Sequence, residues 1–328
     1  MATSVLITRH DKIGDFVVAL PMFQCLKAAR PDLKLVALVA KVNVSLAREL
    51  DYIDEVIEYD PNDMSATLRA IKKANCSVSI SAYIDNQLGF LLWRAGIPKR
   101  IAPATKVAQI WFNCRIKQRR SRVEKTEYQY NLDLLKALDE RIDNPQISFP
   151  LFNFDPRKCD AAVRDFCNKN DLDMGLPIIG LHPGSGGSTD GNLTLEHYVR
   201  LAKALIERGG CQVVFTFGPD DRELVSGVEE RLGEQVVIYQ SVGSIYDFAL
   251  LLSGFSIFVS TSTGTMHLAA GMNIRTLSFF GEVRVASPAR WASVNQSEYQ
   301  NNLSLSEGYP QKKYDDIEAR LLDLVAAL

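Results

Sequence analysis

Ser4-Val-Leu-Ile-Thr-Arg9, His10-Asp-Lys-Ile-Gly-Asp15 and Phe16-Val-Val-Ala-Leu-Pro21 open the chain with an apolar run, a charged turn and a second apolar run. The stretch Val5–Arg9 reads as a strand buried on both faces, because a short continuous apolar run bounded by polar residues suits a covered parallel sheet. Gly14 turns the chain, and Asp15 then falls at the start of a helix. Pro21 cannot sit deep in a regular helix, so the first turn after Asp15 is expected to be irregular or kinked. In open α/β sheets, ligands lie beyond the carboxyl ends of the strands, which makes Asp15 the leading candidate for a catalytic group. A helix N-cap carboxylate would explain the same residue without chemistry. Arg9 and Lys12 are placed to neutralise a bound phosphate or Asp15 itself, with Asp11 close by.

Working outward, short apolar runs alternate with helix-length amphipathic segments, the pattern of an α/β protein. Candidate strands in the first half are Val5–Arg9, Leu35–Ala40, Glu55–Tyr59, Cys76–Ser81 and Lys99–Ile101, with helical pattern at Leu20–Ala29 and Ser65–Asn75. A second α/β pass starts at Pro177-Ile-Ile-Gly-Leu-His182. It continues through strands at Cys211–Phe217, Val236–Tyr239, Phe255–Ser260 and Arg275–Phe280. Helical pattern at Leu195–Arg208, Asp220–Leu232, Ile245–Leu252 and Thr265–Gly271 separates them. With 328 residues the chain exceeds what one core usually holds. Two similar α/β domains facing one another are therefore expected, at residues 1–158 and 159–313, with the boundary somewhere in Pro145–Asp173. An amphipathic helix at 314–328 is expected to pack back on the first domain.

Composition narrows the class. The chain is 47% hydrophobic and 23% charged, as ordinary globular proteins are, and its net charge of -2 gives no global pull towards nucleic acid. Six cysteines without C-x-x-C spacing read as reduced, mostly buried thiols of a cytoplasmic protein. No basic region precedes a long apolar stretch, so no signal peptide is expected. The longest apolar stretch, Phe248–Val259, is interrupted by Ser253, Gly254 and Ser256 and is too short to span a bilayer. Any membrane contact would be peripheral, and no metal-ligand spacing is present.

Three segments carry chemistry. Arg94–Lys125 holds ten Lys and Arg against the single acid Glu124, interleaved with Trp111, Phe112 and Ile116. A solvated basic face is the plain reading, but in a net acidic chain this density favours an anionic partner: a phosphorylated or carboxylated acceptor, or an anionic membrane surface. Nucleic acid is disfavoured because no recognition motif accompanies the segment. His182-Pro-Gly-Ser-Gly-Gly-Ser-Thr189 follows the first strand of the second pass; backbone N–H groups of such a loop can form an anion-binding nest, though a plain flexible loop has similar composition. Ser260-Thr-Ser-Thr-Gly-Thr-Met-His-Leu-Ala-Ala270 runs from a strand through hydroxyls and Gly264 into a helix. The positive end of that helix suits phosphate, with Ser/Thr capping as the structural alternative. His267 would lie in its first turn.

These pieces together resemble glycosyltransferase family 9, the lipopolysaccharide heptosyltransferases. Arg9-x-x-x-Ile13-Gly14-Asp15 with Leu20-Pro21 is similar to the family's N-terminal signature, and Ile179-Gly-Leu-His-Pro-Gly-Ser185 to the opening of its donor domain. Thr263-Gly-Thr-Met-His267-Leu-Ala-Ala270, followed by Phe280-Gly281, resembles its nucleotide-sugar motif. The resemblance implies two Rossmann-like domains of the glycosyltransferase B type and inverting, metal-independent transfer. The sugar would come from a nucleotide-sugar, typically ADP-heptose, and go to an anionic lipid-linked core glycan at the inner face of the membrane. It implies Asp15 as general base, and donor contacts from Thr263 and His267. Gly184, Ser185, Gly186, Gly187, Ser188, Asp220, Ser262, Gly264 and Thr265 join the donor side; Arg9, Lys12, Arg115, Lys117, Arg119, Arg120 and Arg122 join the acceptor side. No cofactor is implied beyond the nucleotide-sugar co-substrate.

Two departures from the family pattern are visible. Ser262 stands where the family has an Asp before Thr-Gly, and Ser188-Thr-Asp-Gly-Asn-Leu193 lacks the Lys that usually follows the His-Pro-Gly loop. A different donor, a substitute cation such as Lys12 or Arg284, or loss of activity each accommodates them. A sugar-nucleotide epimerase on the same fold and a non-catalytic nucleotide-sugar-binding protein are the rival readings.

Overall fold

The computed structural model describes residues 3–142, 145–185 and 191–328. The chain divides into two compact units, Met1–Asn153 and Phe154–Leu328. In the first, β1 (Ser4–Arg9), α1 (Ile13–Val17), α2 (Leu20–Ala29), β2 (Lys34–Ala40), α3 (Val44–Ala47) and β3 (Glu55–Tyr59) follow in order. Then come α4 (Met64–Ala74), β4 (Val78–Ser81), α5 (Asn86–Arg94), β5 (Lys99–Pro103), β6 (Cys114–Ile116) and α6 (Glu127–Asp133). Every strand pairing is parallel, in the order β3-β2-β1-β4-β5-β6. Val5, Leu6 and Ile7 are fully buried, as their uninterrupted apolar run requires of a central parallel strand. The break expected near Pro21 is present: α1 ends at Val17, and α2 restarts with Pro21 in its first turn, where a missing N–H costs no hydrogen bond.

The second unit contains α7 (Pro156–Lys169), β7 (Ile178–His182), α8 (Leu195–Arg208), β8 (Gln212–Phe217), α9 (Arg222–Leu232), β9 (Val237–Gln240) and α10 (Ile245–Leu252). It closes with β10 (Phe255–Thr261), α11 (Gly264–Gly271), β11 (Arg275–Gly281), α12 (Pro288–Trp291), β12 (Gln300–Leu305) and α13 (Gln311–Ala326). Its parallel sheet runs β12-β11-β10-β7-β8-β9, so the two sheets share one strand order when each is counted from its own first strand. In both, the direction of winding reverses between the first and fourth strands: β1 and β4 in one unit, β7 and β10 in the other. That switch leaves a crevice at the carboxyl ends of the two strands.

The structure narrows one expectation of organisation and corrects another. The stretch read as a boundary holds α7, started by Asp155, whose carboxylate accepts from Arg157 N at 2.9 Å, and by Pro156 in the first turn. This helix packs on α10, so the division falls at Asn153, within the expected Pro145–Asp173 stretch and ahead of the expected bound at 158. The C-terminal helix α13 is seated in the second unit: Tyr314, Ile317, Leu321 and Val325 join that unit's own core beside Leu201 and Leu205 of α8. His197 of α8 stacks on Tyr314 at 4.2 Å, and its Nδ1 lies 2.5 Å from Tyr309 Oη. Burying such side chains stabilises by about 1.5–3 kcal/mol each, which holds α13 in place.

Candidate functional site

At the switch point of the first sheet, α1 starts with Lys12 in the N-cap position and Asp15 in its first turn. Asp15 is therefore not a cap, and its carboxylate accepts from Arg9 Nη2. Arg9 is 3% exposed; its Nε donates to Asp11 Oδ1 at 2.8 Å, and its Nη1 reaches the buried Glu127 Oε1 at 3.5 Å. Burial alone would lower the Arg9 pKa, but Asp11, Asp15 and Glu127 outweigh it and hold the guanidinium charged. Burial pushes the Asp15 carboxyl above its ordinary range; Arg9 opposes the shift, and the neighbouring Asp11 and Glu127 reinforce it. The carboxylate is thus partly desolvated, fixed in position, and a stronger base than a surface aspartate.

Beside this group lies a pair that the sequence reading missed. His10 Nε2 sits 2.7 Å from Asp85 Oδ2, with its ring against Tyr59 at 4.5 Å and Tyr83 at 5.4 Å. The other Asp85 oxygen accepts from Leu88 N at 2.8 Å and caps α5. Burial would raise Asp85, but the hydrogen bonds from His10 and the Leu88 amide prevail and lower it. Lys106 Nζ lies 4.0 Å above the Tyr83 ring. Thr8 and Ser81 face each other in register across β1 and β4, and Thr8 Oγ1, Ser81 Oγ and His10 Nδ1 are buried without a hydrogen-bond partner. Asp85-Asn86 after an apolar strand was a readable cap signal; its pairing with His10 needed the strand order.

The basic segment is not one patch. Lys99 Nζ donates to Ala137 O at 2.6 Å, Arg100 Nε to Trp111 O at 2.8 Å, and Lys125 Nζ to Asp133 at 2.7 Å. Arg120 Nη1 holds Glu127 at 2.5 Å, and Arg122 lies 3.9 Å from Glu124. Arg115, Lys117 and Arg119 are exposed along and beyond β6, the edge strand, while Lys12 is exposed at the start of α1. Arg9, expected to touch an acceptor, is buried among its own carboxylates and bonds Asp15.

In the second unit, β7 ends at His182, in register with Ser260 of β10. His182 Nδ1 lies 2.9 Å from Thr216 Oγ1. A β-carbon on Gly184 would meet Asp221 Oδ2 at 2.6 Å, which explains a glycine there. Asp221 in turn accepts from Gly218 N at 2.8 Å, and Asp220 is exposed beside it at the end of β8. Gly186, Gly187 and Ser188 lie outside the described residues, and Ser185 is half-buried. Where description resumes, Gly191 has φ +84°, and a β-carbon there would fall 2.2 Å from the Phe280 backbone. Its carbonyl accepts from Thr261 Oγ1 at 2.9 Å, pinning the returning chain to the ends of β10 and β11.

Thr263 occupies the N-cap position of α11, but its side chain caps nothing: Oγ1 lies 2.8 Å from Thr265 Oγ1 and 3.4 Å from Thr261 O. The first amides of α11, with Gly264 and Thr265, are therefore left by the Thr263 side chain to another acceptor. Ser262 is half-buried, its amide bonded to Phe279 O at 2.8 Å. His267 is 3% exposed with Nδ1 buried and unpartnered, and desolvation lowers its pKa to about 4. His182 is lowered to about 4 by burial as well, against the pull of Asp221. Among the described residues, no group of three or more His, Cys, Asp or Glu is arranged to hold a metal, and no helix is long and apolar enough to cross a membrane.

Comparison with known proteins gives a family and a fold. A family model described as glycosyltransferase family 9 (heptosyltransferase) matches residues 86–321. A candidate glycosyltransferase of Haemophilus influenzae is 37% identical over 298 residues, covering 89% of this chain and 86% of that protein. Among solved structures, a family 9 glycosyl transferase from Veillonella parvula has a TM-score of 0.83 at 14% identity, covering 100% of this chain and 98% of that one. The ADP-heptose lipopolysaccharide heptosyltransferase II of E. coli has a TM-score of 0.78 at 17% identity, covering 99% and 98%. The two parallel-sheet α/β domains thus have the glycosyltransferase B type of fold.

Proposed function

The chain belongs to glycosyltransferase family 9, and we propose that it moves a sugar, with inversion, from a nucleotide-sugar to an anionic lipid-linked glycan. The observation that carries this reading is the state of Asp15: not a helix cap, partly desolvated, with a raised pKa and held by Arg9. In the proposed step an acceptor hydroxyl gives its proton to the Asp15 carboxylate as its oxygen bonds to the anomeric carbon. The bond from that carbon to the diphosphate breaks, and the nucleoside diphosphate leaves.

The donor diphosphate is assigned to the start of α11. Its first amides, the Thr263 and Thr265 hydroxyls and the unpartnered His267 Nδ1 offer donors to developing negative charge. Gly184 and Ser185 are assigned to the same cradle, and Asp220 to the ribose. Arg284, exposed after β11, is the candidate replacement for the missing lysine. No metal is invoked. Heptose from ADP-heptose is the proposed donor, by likeness to the E. coli enzyme. Lys12, Arg115, Lys117 and Arg119 are the proposed acceptor contacts, and the inner face of the membrane is the proposed place of work.

Asp15→Asn tests this. Transfer should fall about 10²–10⁴-fold, while calorimetric titration with ADP and ADP-sugars changes little. Turnover within tenfold of wild type would reduce Asp15 to a partner of Arg9. Binding of none of ADP, UDP and GDP would remove the enzyme reading altogether.

A further inference from the structure

One surface of the first unit is apolar, aromatic and cationic at once. Phe90 and Trp93 on α5 are 41% and 53% exposed; Val107 and Ile110, on the 3₁₀ turn packed beside α5, are 74% and 65% exposed. Trp111 ends that turn and meets Phe90 and Trp93 with ring centroids 5.4 and 5.9 Å away. Arg94, next to Trp93, is exposed as well. Lys106, next to Val107, is exposed too, and neither α5 nor the turn carries an Asp or Glu. A cluster of large exposed apolar side chains marks an interaction site, and an acid-free stretch selects an anionic partner.

We propose that this ridge docks the protein on an anionic lipid bilayer. Phe90, Trp93, Val107 and Ile110 enter the headgroup region, and Arg94 with neighbouring cations meets the lipid phosphates. Trp is the residue that concentrates at membrane interfaces, and basic residues beside such anchors add attraction to acidic leaflets. Side chains exposed by four-tenths or more form a ridge, which a deformable bilayer accepts without a matching pocket. A protein partner needs such a pocket for its anchors. A second copy is disfavoured, because a two-fold contact would set the same cationic face against itself. The docking rests on the lipid-linked acceptor reading for its purpose, since it would bring the protein to where that acceptor lies. Its evidence is the ridge.

Co-sedimentation of the full chain with phosphatidylglycerol vesicles and with phosphatidylcholine vesicles tests the proposal. Binding to the anionic vesicles is expected to be at least tenfold stronger and to weaken with salt. Val107→Ser/Ile110→Ser, both exposed and outside the proposed site, should lower it at least tenfold, with thermal unfolding and ADP titration unchanged. Arg94→Glu serves as a second variant and should lower binding in the same direction. Equal binding to both vesicles, no binding to either, or no loss in both variants would overturn the proposal. So would self-association that the double variant abolishes while vesicle binding persists. Vesicle binding without nucleotide binding would leave docking standing and remove the transferase reading; nucleotide binding without vesicle binding would do the reverse.

Discussion

Arg9 Nη2 donates to Asp15 from a guanidinium that is only 3% exposed and is shared with Asp11 and Glu127. One cation thus sets the position and the charge of the proposed base. Arg9→Gln leaves three carboxylates short of compensation, and removing one partner of a buried ionic group costs about 3–5 kcal/mol. Urea unfolding at pH 7 should show a loss of this size. A loss below about 1 kcal/mol would mean that Arg120 already balances the cluster.

The acid limb of the pH–rate profile should report Asp15. Its pKa is raised, so kcat/KM should rise with pH through a midpoint above the ordinary aspartate value of about 4. Asp11 is one of the like charges that raise it, so Asp11→Asn should move the limb to lower pH. A limb that stays put in this variant would place the titrating group elsewhere.

His182 and His267 make the second unit acid-sensitive. Burial lowers both folded pKa values to about 4 from the ordinary value of 6.5. The unfolded chain then binds more protons than the folded one between these values. Stability is complete above pH 6.5, declines as pH falls, and levels off below pH 4. Each histidine should remove about 2 kcal/mol by pH 5. Chemical denaturation at pH 7 and pH 5 should show this loss shrinking by that amount in His182→Gln and again in His267→Gln; an unchanged loss would show that neither imidazole is held neutral.

Thr263 and Thr194 separate binding from capping. Thr194 Oγ1 accepts from His197 N at 3.2 Å and caps α8, whereas Thr263 makes no cap bond. Thr194→Ala should cost about 1 kcal/mol of stability with donor affinity unchanged. Thr263→Ala should cost less than about 0.5 kcal/mol while weakening ADP binding several-fold. Equal stability losses would make Thr263 an ordinary cap.

The apolar strands and the glycine-bearing turns of both halves were legible, because uninterrupted runs such as Val5-Leu-Ile and Ile178-Ile leave few alternatives. Asp15 was located correctly at a helix start, but its freedom from capping depended on α1 beginning at Ile13, with Lys12 and not Asp15 in the N-cap position. β12 was missed because Gln300-Asn-Asn-Leu-Ser-Leu305 lacks an apolar run, its pairing coming from the parallel ladder with β11. The α7 helix was missed although Asp155-Pro156 is a sound start signal; two prolines nearby read as a linker. The fate of each cation in the basic segment was beyond the sequence, since Ala137 O, Trp111 O and Glu127 become partners only through tertiary packing.

The edge strand β6 has a consequence for colloidal behaviour. An open parallel sheet ends in unpaired N–H and C=O groups that invite a foreign strand to add on. At this edge the strand is three residues long, Cys114–Ile116, with the exposed Arg115 in it and the exposed Lys117 following it. So short a template, carrying like charge, discourages edge-to-edge polymerisation of identical chains. Neutralising Arg115 and Lys117 to study an acceptor would therefore also remove a guard against fibrous aggregation, and such variants call for light scattering beside the activity assay.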